Sequence, residues 1–126
     1  MTEGNGQIRS HRDLIAWQKA MDLVVTVYTT SKTLLKEELF ALTNQMRRAA
    51  VSVPANIAEG QGRRLKAEFR QFLGNARGSL LELDTHLELA FRLGYLNAEQ
   101  YDGVPNQLQE VGRIINGLLR SLADDT

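Results

Sequence analysis

Cysteine is absent from the chain, which excludes a disulfide framework, a thiolate metal site and a cysteine nucleophile together. Histidine is nearly as scarce. Of the 2 histidines, His11 lies near the N-terminus, and His86 follows Glu82 by four residues. Di-iron helical bundles use Glu-x-x-His instead, so no metal or cofactor is expected. Ser52 and Ser79 have no histidine placed by a recognisable motif, so no catalytic triad and no catalytic residue are read. With 2 prolines and little β-branched alternation, strands lack support. Nothing approaches the roughly 18 unbroken apolar residues of a membrane span. The opening "MTEGNGQIRS" lacks the apolar core of a signal peptide. Aromatics make up 6% and sit at core-like spacings, leaving no RNA-stacking signature. Net charge is also missing: 15 basic side chains face 15 acidic ones, which argues against a generic polyanion binder.

What is present is helical periodicity. The 126 residues, 43% hydrophobic and 24% charged, suit one globular domain with its own core, expected in the cytoplasm. In the first segment Leu14, Trp17, Met21, Val24, Tyr28 and Leu35 follow a 3-4 repeat, with Ser10 and Asp13 offering a capping box. A second helix is predicted from about residue 38 to residue 59, with Leu39, Leu42, Met46, Ala49, Val53 and Ile57 on one face. In the third, Phe69, Leu73, Ala76, Leu80, Leu83, Leu87 and Ala90 form the stripe and Gly94 supplies the stop. The fourth opens at Asn97 and runs through Val104, Leu108, Val111, Ile115, Leu118 and Leu122; Pro105 either starts its regular part or kinks it. Short connections between four amphipathic helices predict an all-α, antiparallel up-down four-helix bundle over residues 10–123, behind a flexible polar tail of residues 1–9.

The stretch "RRAAVSVPANIAEGQGRR" breaks the pattern. On a helical wheel with Leu42 at 0°, the core stripe lies between about −20° and +60°. Val51, Pro54, Ala55 and Ala58 lie on the far side, at about 120° to 220°, where a helix facing water should be charged. Helix three repeats the anomaly with Gly74, Gly78 and Leu81; glycines in an exposed helix cost about 1 kcal/mol each relative to alanine. These seven residues form an expected oligomer interface. Between the faces of helix two runs a polar stripe, Gln45, Arg48, Ser52, Asn56 and Glu59, read as structural. Pro54 should bend the helix and free the carbonyl of Ala50, with Asn56, Gln45 and Arg48 as side-chain types able to serve it.

"EGQGRR" follows a helix and lacks both nucleotide-binding glycine patterns, so Gly60 and Gly62 are expected to end helix two. Charge is unevenly spread: residues 44–77 hold seven cations against two glutamates, whereas residues 78–126 hold three against eight acids. The two halves either neutralise each other or leave a basic patch for a polyanion. Arg47, Arg63, Arg64, Lys66 and Arg70 are the candidate nucleic-acid contacts, by phosphate rather than by base sequence. Arg47 joins the others if the chain turns tightly at residues 60–62.

Together "DLIAWQKAMDL", "LTNQMRRAAVSVPANIAEGQGRR", "EFRQFLGNARGSLLELDTHLELAFRLGYL" and the apolar last helix resemble the 23S rRNA intervening-sequence protein family of four-helix-bundle proteins. The resemblance covers about residues 10–122. Its most characteristic stretch runs from Gln45 to Gly60, supported by Gly78, Ser79 and Glu82. One departure is that Leu34-Leu35-Lys36 stands where members often have proline. The resemblance implies a ring-shaped homopentamer, and no catalytic activity is carried over from it. Members were first noticed within intervening sequences of bacterial 23S rRNA genes. A related branch, the accessory proteins of diversity-generating retroelements, binds reverse transcriptase and nucleic acid. The expected function is therefore a non-enzymatic oligomeric scaffold for RNA, a ribonucleoprotein or a nucleic-acid-processing protein. The alternative is a protein–protein scaffold without nucleic acid.

Overall fold

The computed structural model describes residues 8–34 and 40–123. Among them four long helices stand out and no strand occurs: α1 Ile15–Thr30, α2 Phe40–Gln61, α3 Lys66–Arg92 and α4 Val104–Ser121. Each packs against the next, and α4 closes back on α1. The polar contacts fix the directions. Thr43, early in α2, donates to the Leu34 carbonyl just beyond α1, at 2.9 Å. Gly60 at the end of α2 meets Phe69 and Phe72 at the start of α3. Arg70 there reaches the Leu122 carbonyl after α4. The bundle is therefore up-down-up-down.

The core faces of α2, α3 and α4 are those the periodicity predicts. Met46, Ala49, Val53 and Ile57 are buried, as are Leu73, Ala76, Leu80, Leu83, Leu87 and Ala90, with Val104, Leu108, Val111 and Ile115 opposite. Leu42, Phe69, Leu118 and Leu122 pack partly buried against them. Leu35 and Leu39 lie outside the described residues.

The first helix departs from its expected face. Ala16, Ala20, Leu23 and Val27 are the buried stripe, whereas Met21 and Tyr28 are exposed. The true stripe is rotated by about 100° from the line of bulky residues, because alanines let the neighbouring helices approach closely. Trp17 and Val24 sit at the margin. Ser10 and Asp13 cap a short turn ahead of the helix: Ser10 Oγ accepts from Arg12 N at 3.1 Å and Asp13 Oδ2 from Arg9 N at 2.9 Å.

Helix ends carry the other surprises. Gly94, at φ 83°, closes α3 as expected, with Tyr95 N bonding the Ala90 carbonyl at 2.9 Å and Gly94 N that of Phe91 at 3.0 Å. Asn97 caps only one helical turn, Ala98–Tyr101, in a capping box with Gln100. Gly103, at φ 81°, then redirects the chain, and Pro105 lies in the first turn of α4, where its missing N–H has no partner to lose. Gly60 does not end α2; the helix continues to Gln61. A Cβ on Gly60 would lie 2.7 Å from Phe72 Cβ and 2.9 Å from Phe69 Cδ1, so the glycine permits close helix contact instead.

Candidate functional site

The α2–α3 seam is built from small polar side chains one or two turns apart. Ser52 Oγ lies 2.8 Å from Ser79 Oγ, a direct hydroxyl–hydroxyl bond across the two helices. The Asn56 amide donates to the Ser52 carbonyl at 2.8 Å and to its Oγ at 3.0 Å. Asn56 therefore serves the carbonyl of Ser52, not that of Ala50 which Pro54 leaves without its helical donor. Gln45, Arg48, Ala49, Ser52, Ser79 and Glu82 line an open cleft of about 500 Å³ above this seam. Gln45, Arg48 and Glu59 are exposed, so the stripe is half-buried only at its Ser52–Asn56 centre. His86, two turns beyond Ser79, is half-buried. Both its ring nitrogens lack a hydrogen-bond partner, with Glu82 Oε2 3.5 Å from Nε2.

The candidate nucleic-acid contacts do not form one cluster. Arg47 lies more than about 20 Å along α2 from Arg63, at the opposite end of the bundle. Its Nε donates to Ser31 Oγ at 2.9 Å, its terminal nitrogen reaches the Tyr28 carbonyl, and its guanidinium stacks 4.6 Å from the Tyr28 ring. Arg70 Nη1 donates to the Leu122 carbonyl at 2.7 Å. Both cations reach carbonyls at helix C-termini, where the macrodipole favours positive charge. Arg63 pairs with Glu59 at 3.0 Å and covers the Phe72 ring at 4.8 Å. Arg64 is exposed and has no partner among the described residues, and exposed Lys66 begins α3 beside it. What the structure brings together is a corner of Arg63, Arg64, Lys66 and Arg70, of which Arg64 is the free cation.

The expected interface residues divide as well. Val51, Ala55, Gly78 and Leu81 are exposed, and Ala58 and Gly74 half-buried, on the outer faces of α2 and α3. A Cβ on Gly74 or Gly78 would meet nothing within 4 Å. Pro54 does not belong with them. It is buried on the flank shared with Ala50 and Arg47, which faces α1. Sequence reasoning missed the outer face of α1, where Met21, Val25 and Tyr28 are exposed, Val25 at 64%. Its signal was available: Val25 and Met21 fall opposite the Ala16–Ala20 stripe.

The 23S rRNA-intervening sequence protein family model matches residues 12–117, nearly all of the described bundle. The chain belongs to that family. The fold agrees with a crystal structure from Bacteroides thetaiotaomicron, described as a protein of unknown function from the S23 ribosomal protein family. The two share 26% identity and a TM-score of 0.78, over 84% of this chain and 99% of the other. No curated protein matches the chain. Membership accounts for the four-helix architecture. Among the described residues no helix is long and apolar enough to cross a membrane.

Proposed function

We propose that the chain is a non-enzymatic, self-associating scaffold that contacts RNA or a ribonucleoprotein through the corner around Arg64. The observation that carries this reading is the corner itself. Arg64 is exposed and unpartnered among the described residues, next to exposed Lys66 and to Arg63. Arg64 and Lys66 stand at the N-terminus of α3, where positive charge opposes the helix macrodipole, whereas Arg63 is held by Glu59 at the end of α2. Helix stability does not explain Arg64 and Lys66. A homopentameric ring would repeat the corner and raise avidity for a long polyanion even where each contact is weak. The exposed apolar stripes on α1 and α2 and the open glycines of α3 support self-association.

The test is a titration of fluorescent single-stranded RNA at low and moderate salt. Binding should weaken steeply with salt through counterion release and show little sequence preference. The Arg63→Ala/Arg64→Ala double variant should weaken it across all sequences and flatten the slope. Absence of binding at low salt, or an unchanged slope in the variant, refutes the nucleic-acid part. A second reading, a protein-only scaffold, is favoured by the internal engagement of Arg47, Arg63 and Arg70.

A further inference from the structure

One end of the bundle gathers more positive charge than the corner alone. Because the helices alternate in direction, the start of α1, the end of α2, the start of α3 and the end of α4 meet there. Arg47 touches Tyr28 and Ser31, which in antiparallel register sets the turn His11–Asp13 opposite the end of α2. The turn packs against that helix. Lys19 pairs with Glu110 at 3.5 Å, so the same turn also falls level with the last turns of α4. Arg9, Arg12 and, in the last turn of α4, Arg120 are exposed and share this end with the corner cations. Among the described residues Asp13, Glu59 and Glu68 are the carboxylates set against them; Asp124 and Asp125 lie outside those residues.

Helix stability does not explain the turn's cations either. Arg9 and Arg12 precede α1, as Arg64 precedes α3, on the side where positive charge opposes the macrodipole. Asp13 Oδ2 lies 3.6 Å from Arg9 Nε, whose side chain stays 77% exposed. No carboxylate holds Arg12 among the described residues. Its guanidinium lies 5.5 Å from the centre of the Trp17 ring, which His11 meets edge-on at 5.0 Å.

The opposite end behaves otherwise. Its described cations, Lys32, Arg47 and Arg92, stand at or reach the C-terminal ends of α1 and α3, where the macrodipole favours them. Glu88, Glu99 and Asp102 match them there, and Glu88 holds Arg92 at 2.6 Å. A second copy stacked end to end would therefore bring no excess of carboxylate to the cationic end.

We propose that the whole cationic end, with Arg9 and Arg12 of the turn ahead of α1 as a second arm, is the contact surface for an RNA strand, its phosphates crossing the bundle end from Arg64 to Arg12. The proposal rests on the RNA reading above and gives that site its extent. Neighbouring helices about 8–10 Å apart place the starts of α1 and α3 about 14 Å apart on the bundle diagonal, a span that a phosphate chain bridges and a single bound anion does not. Every group named is a cation meeting phosphate, so the end carries affinity without base preference.

The experiment titrates the full chain with single-stranded RNA at several salt concentrations, reading RNA anisotropy and, with unlabelled RNA, Trp17 emission. Trp17 is the 1 tryptophan of the chain and lies beside Arg12, so its emission should change along the binding isotherm. Arg9→Ala/Arg12→Ala should weaken binding across all sequences and flatten the salt slope by about 1.4, about 0.7 for each lost phosphate contact. Lys32→Ala/Arg92→Ala removes the same charge from the opposite end and should leave affinity and slope at the parent values. All four side chains are exposed, so circular dichroism should report the parent helix content for both variants. An Arg9→Ala/Arg12→Ala variant that binds like the Lys32→Ala/Arg92→Ala control overturns the proposal, as does a Trp17 emission that ignores RNA. If Arg63→Ala/Arg64→Ala still weakens binding in that case, the corner stands without its second arm. A parent that binds no RNA at low salt removes both readings together.

Discussion

The Ser52 and Ser79 hydroxyls meet at 2.8 Å across the α2–α3 seam. Small side chains are what make the bond geometrically possible. The Asn56 amide donates into Ser52 and leaves the Ser52 proton free to point at Ser79. A double-mutant cycle of Ser52→Ala and Ser79→Ala should give a coupling of about 0.5–1.5 kcal/mol in urea titration. Strictly additive single effects would mean that the bond does not form in solution. Asn56→Ala should cost about 1 kcal/mol, because the Ser52 carbonyl retains its helical donor. Asn56→Asp sets a carboxylate against that carbonyl and should cost more, about 1–3 kcal/mol.

Gly60 and Gly62 should respond differently to the same methyl group. At Gly60 the added Cβ lies 2.7 Å from Phe72 Cβ, so Gly60→Ala forces α2 and α3 apart and should cost about 1–3 kcal/mol. At Gly62 the nearest atom is 3.6 Å away, and Gly62→Ala should change stability by less than about 0.5 kcal/mol. Thermal or urea unfolding of the two variants decides the matter. Equal effects would remove the close-packing role from Gly60.

The arginines show where sequence reasoning stops. Periodicity carries three core faces correctly because leucine, valine and isoleucine at 3-4 spacing have one physical outcome, burial. On α1 the same rule chose the bulky line through Met21 and Tyr28, since a transfer scale undervalues alanine in a tight helix contact. An arginine has several outcomes, and its neighbours across the fold decide among them. Nothing near Arg47 in sequence announces the end of α1, sixteen or more residues away, and nothing near Arg70 announces the end of α4. Likewise Pro54 reads as an outer-face residue on a wheel but is buried. The polar stripe was legible as a line of residues; which of its members face inward was settled by the Ser52–Ser79 contact alone.

Arg47 should therefore behave as a structural residue. Arg47→Ala removes a charged hydrogen bond to Ser31 and the stacking on Tyr28, and should destabilise by about 1–2 kcal/mol. Its effect on RNA affinity should be smaller than that of Arg64→Ala when both are assayed fully folded. The opposite ranking would return Arg47 to the binding surface.

Tyr101 reports on the carboxylates of α3. Burial, then the carboxylates of Asp84 and Glu88, hold its phenol above the ordinary 10.0. A phenol whose folded value is raised contributes stability that is complete below 10 and is lost as pH rises through the folded value. Ultraviolet titration should show a phenolate step above 10 that disappears in Tyr101→Phe. Asp84→Asn should move the step downward, yet leave it above the ordinary value because burial is the larger cause. A step that ignores Asp84→Asn would mean that this carboxylate does not face the phenol.

The outer faces give the sharpest test of assembly. Gly78 stands in open space within one chain, and an alanine there would meet nothing within 4 Å. In an isolated bundle Gly78→Ala should stabilise the protein by about 0.5–1 kcal/mol, since alanine is the better helix former. If another copy's backbone approaches that glycine, the same methyl group should instead push the subunits apart. The two cases predict opposite signs for one substitution. Val25→Glu provides the companion measurement, placing charge on the exposed stripe of α1 without touching the core of the chain. Sedimentation equilibrium of the parent at micromolar concentration should give a multiple of 14.1 kDa, and both variants should shift it toward the single-chain mass. Helix content should stay constant throughout, because neither side chain contributes to the folding of one bundle. A parent that sediments at 14.1 kDa, with Gly78→Ala more stable than the parent, would make the glycines tolerated surface residues and end the ring reading.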